Sequence, residues 1–318
     1  MLNIFQEVQE AEQRIRSFVL TTPLVQATSL GTSSRSDVVL KLENLQHTGS
    51  FKVRGAFNSL ISLPDQKCRK GIVTASSGNH GLAMAFALDK LGLPGTIFLP
   101  ENVAPVKYAR LQKYDVQVKL IQGDGMQVEA AAIDHAKQYE QSYISPYNDA
   151  RVIGGQGTIG LELHQQQPHI NCVFVAVGGG GMISGIAGYL KEVNPGISII
   201  GCEPQNSRAM SESVKAGRIV EVDVIETLSD GTAGGIESDS ITFEPCSQLV
   251  DEWVSVSESE IVAGMRWIFE HHGLKVEGAA GVVIAAYLKQ ARQLTGSHTA
   301  LVMCGGNIDR DRFKALLN

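Results

Sequence analysis

No stretch of roughly 18 consecutive apolar residues occurs in the 318-residue chain, so no segment reads as a membrane-spanning helix. A basic block is missing too. The 27 Lys and Arg against 33 Asp and Glu give a net charge of −6, the wrong balance for a protein that grips nucleic-acid phosphates with clustered cations. There is no CxxC pair, and the five cysteines (Cys68, Cys172, Cys202, Cys246, Cys304) are odd in number and widely spaced. That pattern fits reduced thiols and argues against a disulfide frame or a zinc knuckle. HExxH is absent, and the adjacent His271 and His272 would point about 100° apart on a helix, so a metal hydrolase is not expected. The amino terminus carries charges where a secretory signal has an apolar centre, and reads instead as an amphipathic helix. With 43% hydrophobic and 19% charged residues, the chain is expected to be a soluble cytoplasmic protein acting on small molecules.

What is present is alternation. Short β-branched runs ("VVLKLE", "GIVTAS", "GTIFLP", "VQVKLI", "CVFVAV", "SIIGCEP", "ALVMCGG") are separated by helical patterns, from about residue 38 to the last run. Buried strands with intervening helices predict an α/β fold, with parallel sheets covered on both faces and any second domain inserted in the first. One long irregular segment, "TLSDGTAGGIESDSITFEPC", interrupts the rhythm, and loops of that length are often functional.

Ligands in open α/β sheets sit beyond the carboxyl ends of strands. Three turns there are unusual. After "CVFVAV" come Gly178, Gly179, Gly180, Gly181 and Met182, where the backbone can wrap a phosphate at a helix amino terminus. Neither G-x-G-x-x-G nor the P-loop lysine pattern fits this run, which favours a lone phosphate monoester over a dinucleotide. Tight helix packing is the plainer explanation of such glycines. The turn "SSGNHG" gathers Ser76, Ser77, Asn79 and His80 at another helix start, a natural carboxylate site; simple N-capping explains one or two of these residues. In "CGGN", Cys304 projects from a strand end, where a buried thiol is ordinarily a small hydrophobe.

Against these stands "TGSFKVRGAFN", in which Lys52 lies between Phe51 and Val53 at the opening of a helix-like run. A surface lysine that snorkels is the ordinary reading. A phosphate cradle, a carboxylate cradle and a lysine among apolar neighbours together point to pyridoxal phosphate holding an amino acid. Lys52 would then join the cofactor aldehyde, and when displaced would act as a base if its pKa is brought to roughly 7–8.

The chain resembles the serine/threonine dehydratase and serine racemase branch of the fold type II pyridoxal-phosphate enzymes over nearly its whole length. The matching motifs are "TTPL", "KLENLQHTGSFKVRGA", "SSGNHG", "GGQGTIGLEL", "VGGGGMISGIA", "CEP", "VEGAAG" and "CGGN". Arg54 stands where the cysteine synthase branch usually has an acid, which separates the chain from that branch. The resemblance implies two three-layer domains: a large cofactor-binding one from residues 1–70 and 147–318, and a smaller one, 71–146, inserted in it. It implies that Lys52 carries the cofactor, that Phe51 packs behind the ring and that residues 178–182 bind the phosphate. Asn79 would meet the phenolic oxygen, Cys304 the pyridine nitrogen, and Ser76, Ser77 and His80 the substrate carboxylate. The implied reaction is loss of water and ammonia from a β-hydroxy L-amino acid such as L-threonine or L-serine. Lys52 would take the α-proton and the cofactor phosphate would protonate the departing hydroxyl.

Racemisation is the rival, since it needs a second base. Ser77 matches that base in serine racemases, whereas Tyr147 matches the aromatic residue of bacterial dehydratases. A binding protein without chemistry would not need Lys52, Ser77 and Cys304 together. Glu203 and Ser207 match two positions of the divalent-cation site of eukaryotic serine racemases, but Ala209 replaces its Asp, which weakens such a site. The chain stops soon after "CGGN", so feedback control through a carboxy-terminal regulatory domain is not expected. Substrates such as phenylserine, hydroxyaspartate or a hydroxyectoine-derived intermediate stay open, with Tyr147 and the long loop lining the side-chain pocket. Family habit implies a homodimer.

Overall fold

The computed structural model describes residues 2–31 and 37–317. Ten strands among them form two sheets: β1 (Leu24–Gln26), β2 (Asp37–Lys41), β3 (Ile72–Ala75), β4 (Gly95–Pro100), β5 (Gln117–Ile121), β6 (Ser142–Tyr143), β7 (Cys172–Ala176), β8 (Ser198–Pro204), β9 (Glu252–Val256) and β10 (His298–Val302). The larger sheet runs β1-β2-β10-β7-β8-β9, parallel throughout except for β1, which pairs antiparallel with β2. The smaller runs β5-β4-β3-β6 and is all parallel. This is the expected α/β architecture. The strand series read from the sequence omitted β1, β6 and β9.

The larger sheet is apolar on both faces because helices cover both. The helix Gly278–Gln290 is apolar nearly all round and is buried along its length, its Tyr287 ring edge-on to Phe174 of β7 at 5.8 Å. The amino-terminal helix Ile4–Ile15 buries Ile4, Val8, Ala11 and Ile15, an i, i+3, i+4 stripe, and Asn3 caps it by accepting the Gln6 N–H at 3.0 Å.

The glycines of "GGQGTIG" serve close packing. Helix Ala150–Gln166 lies so near helix Gly181–Val193 that a Cβ on Gly157 would come within 2.8 Å of the Gly185 carbonyl, and one on Gly185 within 2.3 Å of the Ile153 carbonyl. A second apolar core joins Val53, Phe57 and Leu60 of helix Lys52–Ile61 to Ile72, Met84, Leu88 and Ile144 around the smaller sheet. The lysine helix therefore packs against helix Ala150–Gln166 and helix Asn79–Leu91, the latter covering the smaller sheet, while the segment entering it is tied to the larger one.

That tie is made by backbone. Ser50 bridges Gly305, and the Phe51 N–H donates to the Cys304 carbonyl at 3.0 Å. Below this helix lies a buried charge cluster. Arg54 is fully buried and donates to Glu43 from Nε and Nη2 and to Glu162 from Nη1 and Nη2, at 2.8–2.9 Å. Lys41, also fully buried, donates to Glu162. Against the cost of burial, Glu43 and Glu162 hold the Arg54 guanidinium above its ordinary range.

Candidate active site

The carboxyl ends of the two sheets face one cavity of about 680 Å³. It is lined by Phe51, Lys52, Ser76, Ser77, Asn79, His80, Tyr147, Gly178, Gly179, Gly180, Gly181, Met182 and Cys304, so every site residue expected from the sequence meets here except Glu203 and its companion Ser207. The long loop contributes residues 230–235.

Lys52 opens its helix, with Nζ donating to the Pro146 carbonyl at 2.8 Å. Burial pushes its amine down to about 8; the neighbouring Glu277 offsets part of that effect. An amine so placed is deprotonated in useful fraction near neutral pH, as a nucleophile or base must be. Burial, with Glu277 adding to it, pushes the Cys304 thiol well up, so it stays an uncharged S–H.

The glycine run turns from β7 into helix Gly181–Val193 with Gly180 at φ +83°, a left-handed conformation suited to glycine. A Cβ on Gly178 would meet the Thr232 backbone at 2.9 Å, and one on Gly179 would meet the Tyr147 ring at 2.4 Å. The first N–H groups of such a helix have no partner within the helix and carry the positive end of its dipole. A phosphate fits that opening.

Helix Asn79–Leu91 presents a second amino terminus to the same cavity. Gly81 sits there because a Cβ would overlap the Ser76 carbonyl. Asn79 Nδ2 donates to both oxygens of Glu277, at 2.8 and 3.0 Å, and its Oδ1 accepts from Asn307. The His80 ring faces the Thr74 hydroxyl through Nε2 at 3.0 Å. Because that hydroxyl donates to the Ile144 carbonyl, Nε2 carries the ring proton and Nδ1 is a bare lone pair. Burial first, and then the Lys52 cation, push His80 down to about 3, so the ring is neutral. A carboxylate here is served by the N–H groups of the helix start. The His80 side chain offers it no donor.

Tyr147 lies over the glycine loop, its hydroxyl accepting the Glu237 N–H at 2.9 Å. Glu203 stands apart at the end of β8, with one oxygen accepting the Ser211 N–H at 3.3 Å, and burial raises its carboxyl to about 7. Among the described residues no three His, Cys, Asp or Glu side chains gather as a metal-binding group. Sequence reasoning gave no role to Glu277, Asn307, Gln156 or Arg110, which also line the cavity. Glu277, Asn307 and Gln156 lie inside motifs quoted for the resemblance, and that was their only signal.

An amine of lowered pKa, a phosphate cradle and a carboxylate cradle around one cavity define an α/β enzyme that handles amino acids through a phosphorylated carbonyl cofactor. The residues fit pyridoxal phosphate: Cβ-free backbone beside a helix start for its phosphate, Lys52 for its aldehyde, and an uncharged thiol for its ring nitrogen. The chain belongs to the family described as pyridoxal-phosphate dependent enzymes, which matches residues 15–305. It is 38% identical over 303 residues to an L-threonine ammonia-lyase of Geobacter sulfurreducens, covering 95% of this chain and 75% of that one. It is 35% identical to the catabolic L-threonine dehydratase of Escherichia coli, with 96% and 93% covered. Among solved structures, maize serine racemase superposes with a TM-score of 0.93 at 31% identity, covering 98% of this chain and 95% of that one. No helix of the described residues is long and apolar enough to cross a membrane.

Proposed function

We propose that this chain is an ammonia-lyase of the threonine and serine dehydratase type, converting a β-hydroxy L-amino acid to a 2-oxo acid and ammonia. Two relatives at 35–38% identity bear the names L-threonine ammonia-lyase and L-threonine dehydratase. The observation that carries the proposal is Lys52, a half-buried lysine whose amine is brought down to about 8 in a cavity shared with the glycine loop and Cys304. Bound there, pyridoxal phosphate supplies an aldehyde that captures amines and a conjugated ring that draws electrons from the α-carbon.

The chain's own residues do the rest. The N–H groups of residues 178–182 hold the phosphate, and Phe51 packs against the ring. Asn79 donates to the phenolic oxygen. Cys304, uncharged, meets the ring nitrogen without protonating it. The backbone and hydroxyls at Ser76 and Ser77, with the helix start at Asn79 and His80, orient the substrate carboxylate. Lys52 Nζ then removes the α-proton. Tyr147 and the loop 230–235 border the side chain and limit water.

Ser77 favours a second reading, inversion at the α-carbon, because its hydroxyl lines the same cavity as Lys52. Release of 2-oxo acid from the L- and D-forms of threonine and serine, with chiral analysis of the unreacted amino acid, separates the two. Turnover surviving Lys52→Ala would refute both. Release from phenylserine, hydroxyaspartate or a hydroxyectoine-derived intermediate in preference to threonine would reassign the substrate.

The proposal extends to organisation. Residues 71–146 form the inserted unit, the chain works as a homodimer in the cytoplasm, and Glu203 with Ser207 offers at most a weak site for a divalent cation. Light scattering tests the dimer, and activity after chelation tests the cation.

A further inference from the structure

Asn79 is held from two sides. Its amide nitrogen lies 2.8 and 3.0 Å from the two oxygens of Glu277. Those oxygens belong to one carboxylate and sit close together, whereas the two N–H bonds of an amide diverge widely, so a single N–H is shared between them. The other N–H has no partner among the described residues, and Asn79 lines the cavity. Its Oδ1 accepts from Asn307 Nδ2 at 2.7 Å.

Asn307 is itself fixed. Its Nδ2 also donates to the Thr48 carbonyl at 2.8 Å, and its Oδ1 accepts from Arg110 at 2.6 Å. Its backbone N–H donates to Glu277 at 3.2 Å. Turning the Asn79 amide over would set Oδ1 against the carboxylate and Nδ2 against the Asn307 donor, so the network admits one orientation.

We infer that Glu277, braced by Asn307, is the positioning residue that makes Asn79 present one N–H to the cofactor ring. This rests on the reading that Asn79 faces the ring's phenolic oxygen. Glu277 is buried and precedes the helix Gly278–Gln290, whereas Asn79 opens a helix over the smaller sheet. The bond therefore crosses the cleft. Arg110, on the helix Pro105–Leu111, adds a second crossing through Asn307.

The test uses cofactor-loaded wild type, Glu277→Gln, Glu277→Asp, Asn79→Ala and the double variant Glu277→Gln/Asn79→Ala. The readouts are the visible absorption and circular dichroism of the bound cofactor, and its affinity for the apoprotein. In either orientation Gln sets its NH2 where a carboxylate oxygen stood within 3.0 Å of Asn79 Nδ2, donor against donor, so it loosens Asn79. Glu277→Gln is expected to shift the visible band and weaken cofactor affinity about tenfold, the loss of one hydrogen bond. Asn79→Ala is expected to give the same band, the double variant to add little to either, and Glu277→Asp to lie nearer wild type. A purely structural role for Glu277 would make the two effects add. A wild-type spectrum and affinity in Glu277→Gln, or full additivity, overturns the inference. If Glu277→Gln does not fold, Glu277→Asp alone and combined with Asn79→Ala replaces it, and effects of the two substitutions that add fully overturn the inference equally. A wild-type protein with no visible cofactor band would instead defeat the underlying reading of the site.

Discussion

Replacing Glu162 by Gln probes the charge cluster beneath the lysine helix. Glu162 is buried and accepts from Arg54 Nη1 at 2.8 Å, Arg54 Nη2 at 2.9 Å, Arg16 Nη2 at 2.8 Å and Lys41 Nζ at 2.5 Å. Burial alone would raise its carboxyl, but Arg54 and then Lys41 outweigh it and hold the group down at about 2, against an ordinary 4.5. The folded value lies below the unfolded one. Ionised Glu162 therefore contributes stability that is complete above the unfolded value and is lost as pH falls through the folded one. The difference corresponds to about 3 kcal/mol near pH 7. It matches the about 3–5 kcal/mol lost when one partner of a buried ion pair is removed. Urea unfolding of the cofactor-loaded proteins is the assay. The gap between wild type and Glu162→Gln is expected to be about 3 kcal/mol near pH 7 and to shrink below about 2 kcal/mol near pH 3. A gap that does not change with pH, or one under about 1 kcal/mol near neutrality, refutes the reasoning.

Other outcomes follow from the same geometry. Gly179→Ala places a methyl within 2.4 Å of the Tyr147 ring. It is expected to weaken cofactor affinity at least about tenfold in titrations of the apoprotein, by displacing the N–H groups of the loop. Gly185→Ala puts a Cβ 2.3 Å from the Ile153 carbonyl and 2.6 Å from the Gly157 nitrogen. Backbone cannot yield as a side chain can, so urea unfolding should register a loss of about 1–3 kcal/mol or more. Wild-type apoprotein should take up pyridoxal phosphate faster as pH rises through about 8, where Lys52 loses its proton. A flat rate across that range would contradict the lowering of the Lys52 amine.

The sequence exposed what is local. Strand runs, the glycine turn at 178–181 and the polar turn at 76–80 each occupy a few consecutive residues, and their positions after strands follow from the α/β rhythm. What it hid depends on distance along the chain or on weak patterning. β1 and β6 are three and two residues long, too short to carry a period. β9 is an edge strand, reading "EWVSV" with Glu252 exposed and Trp253 and Ser255 half-buried, so no buried run announces it. Arg54 was legible only as a mark of family branch. Its partners Glu43 and Glu162 lie 11 and 108 residues away, and nothing in "ENL" or "LEL" shows that either acid is buried. The same holds for Asn79 and Glu277, separated by 198 residues. His80 shows a further limit. The motif suggested a carboxylate ligand, but the tautomer that decides what the ring can offer is set by a hydroxyl–carbonyl bond between Thr74 and Ile144.

Two helix amino termini, at Asn79 and Gly181, open on a cavity that also holds Lys52. Each terminus attracts an anion through its dipole and unpaired N–H groups, the first a carboxylate and the second a phosphate. Lys52 is brought down to about 8 by burial before either arrives, and nearby Glu277 already acts to raise it. Anions bound at both termini add to that side. The amine is therefore weakest as a base when the cavity is empty, which favours capture of the cofactor aldehyde, and stronger once cofactor and substrate are in place, which favours removal of the α-proton. The ionisation of Lys52 seen in cofactor uptake should accordingly lie below the one governing kcat. Measuring both against pH decides the point: coincident values would mean that the helix termini hold their anions too far from Lys52, or too well screened, to tune it.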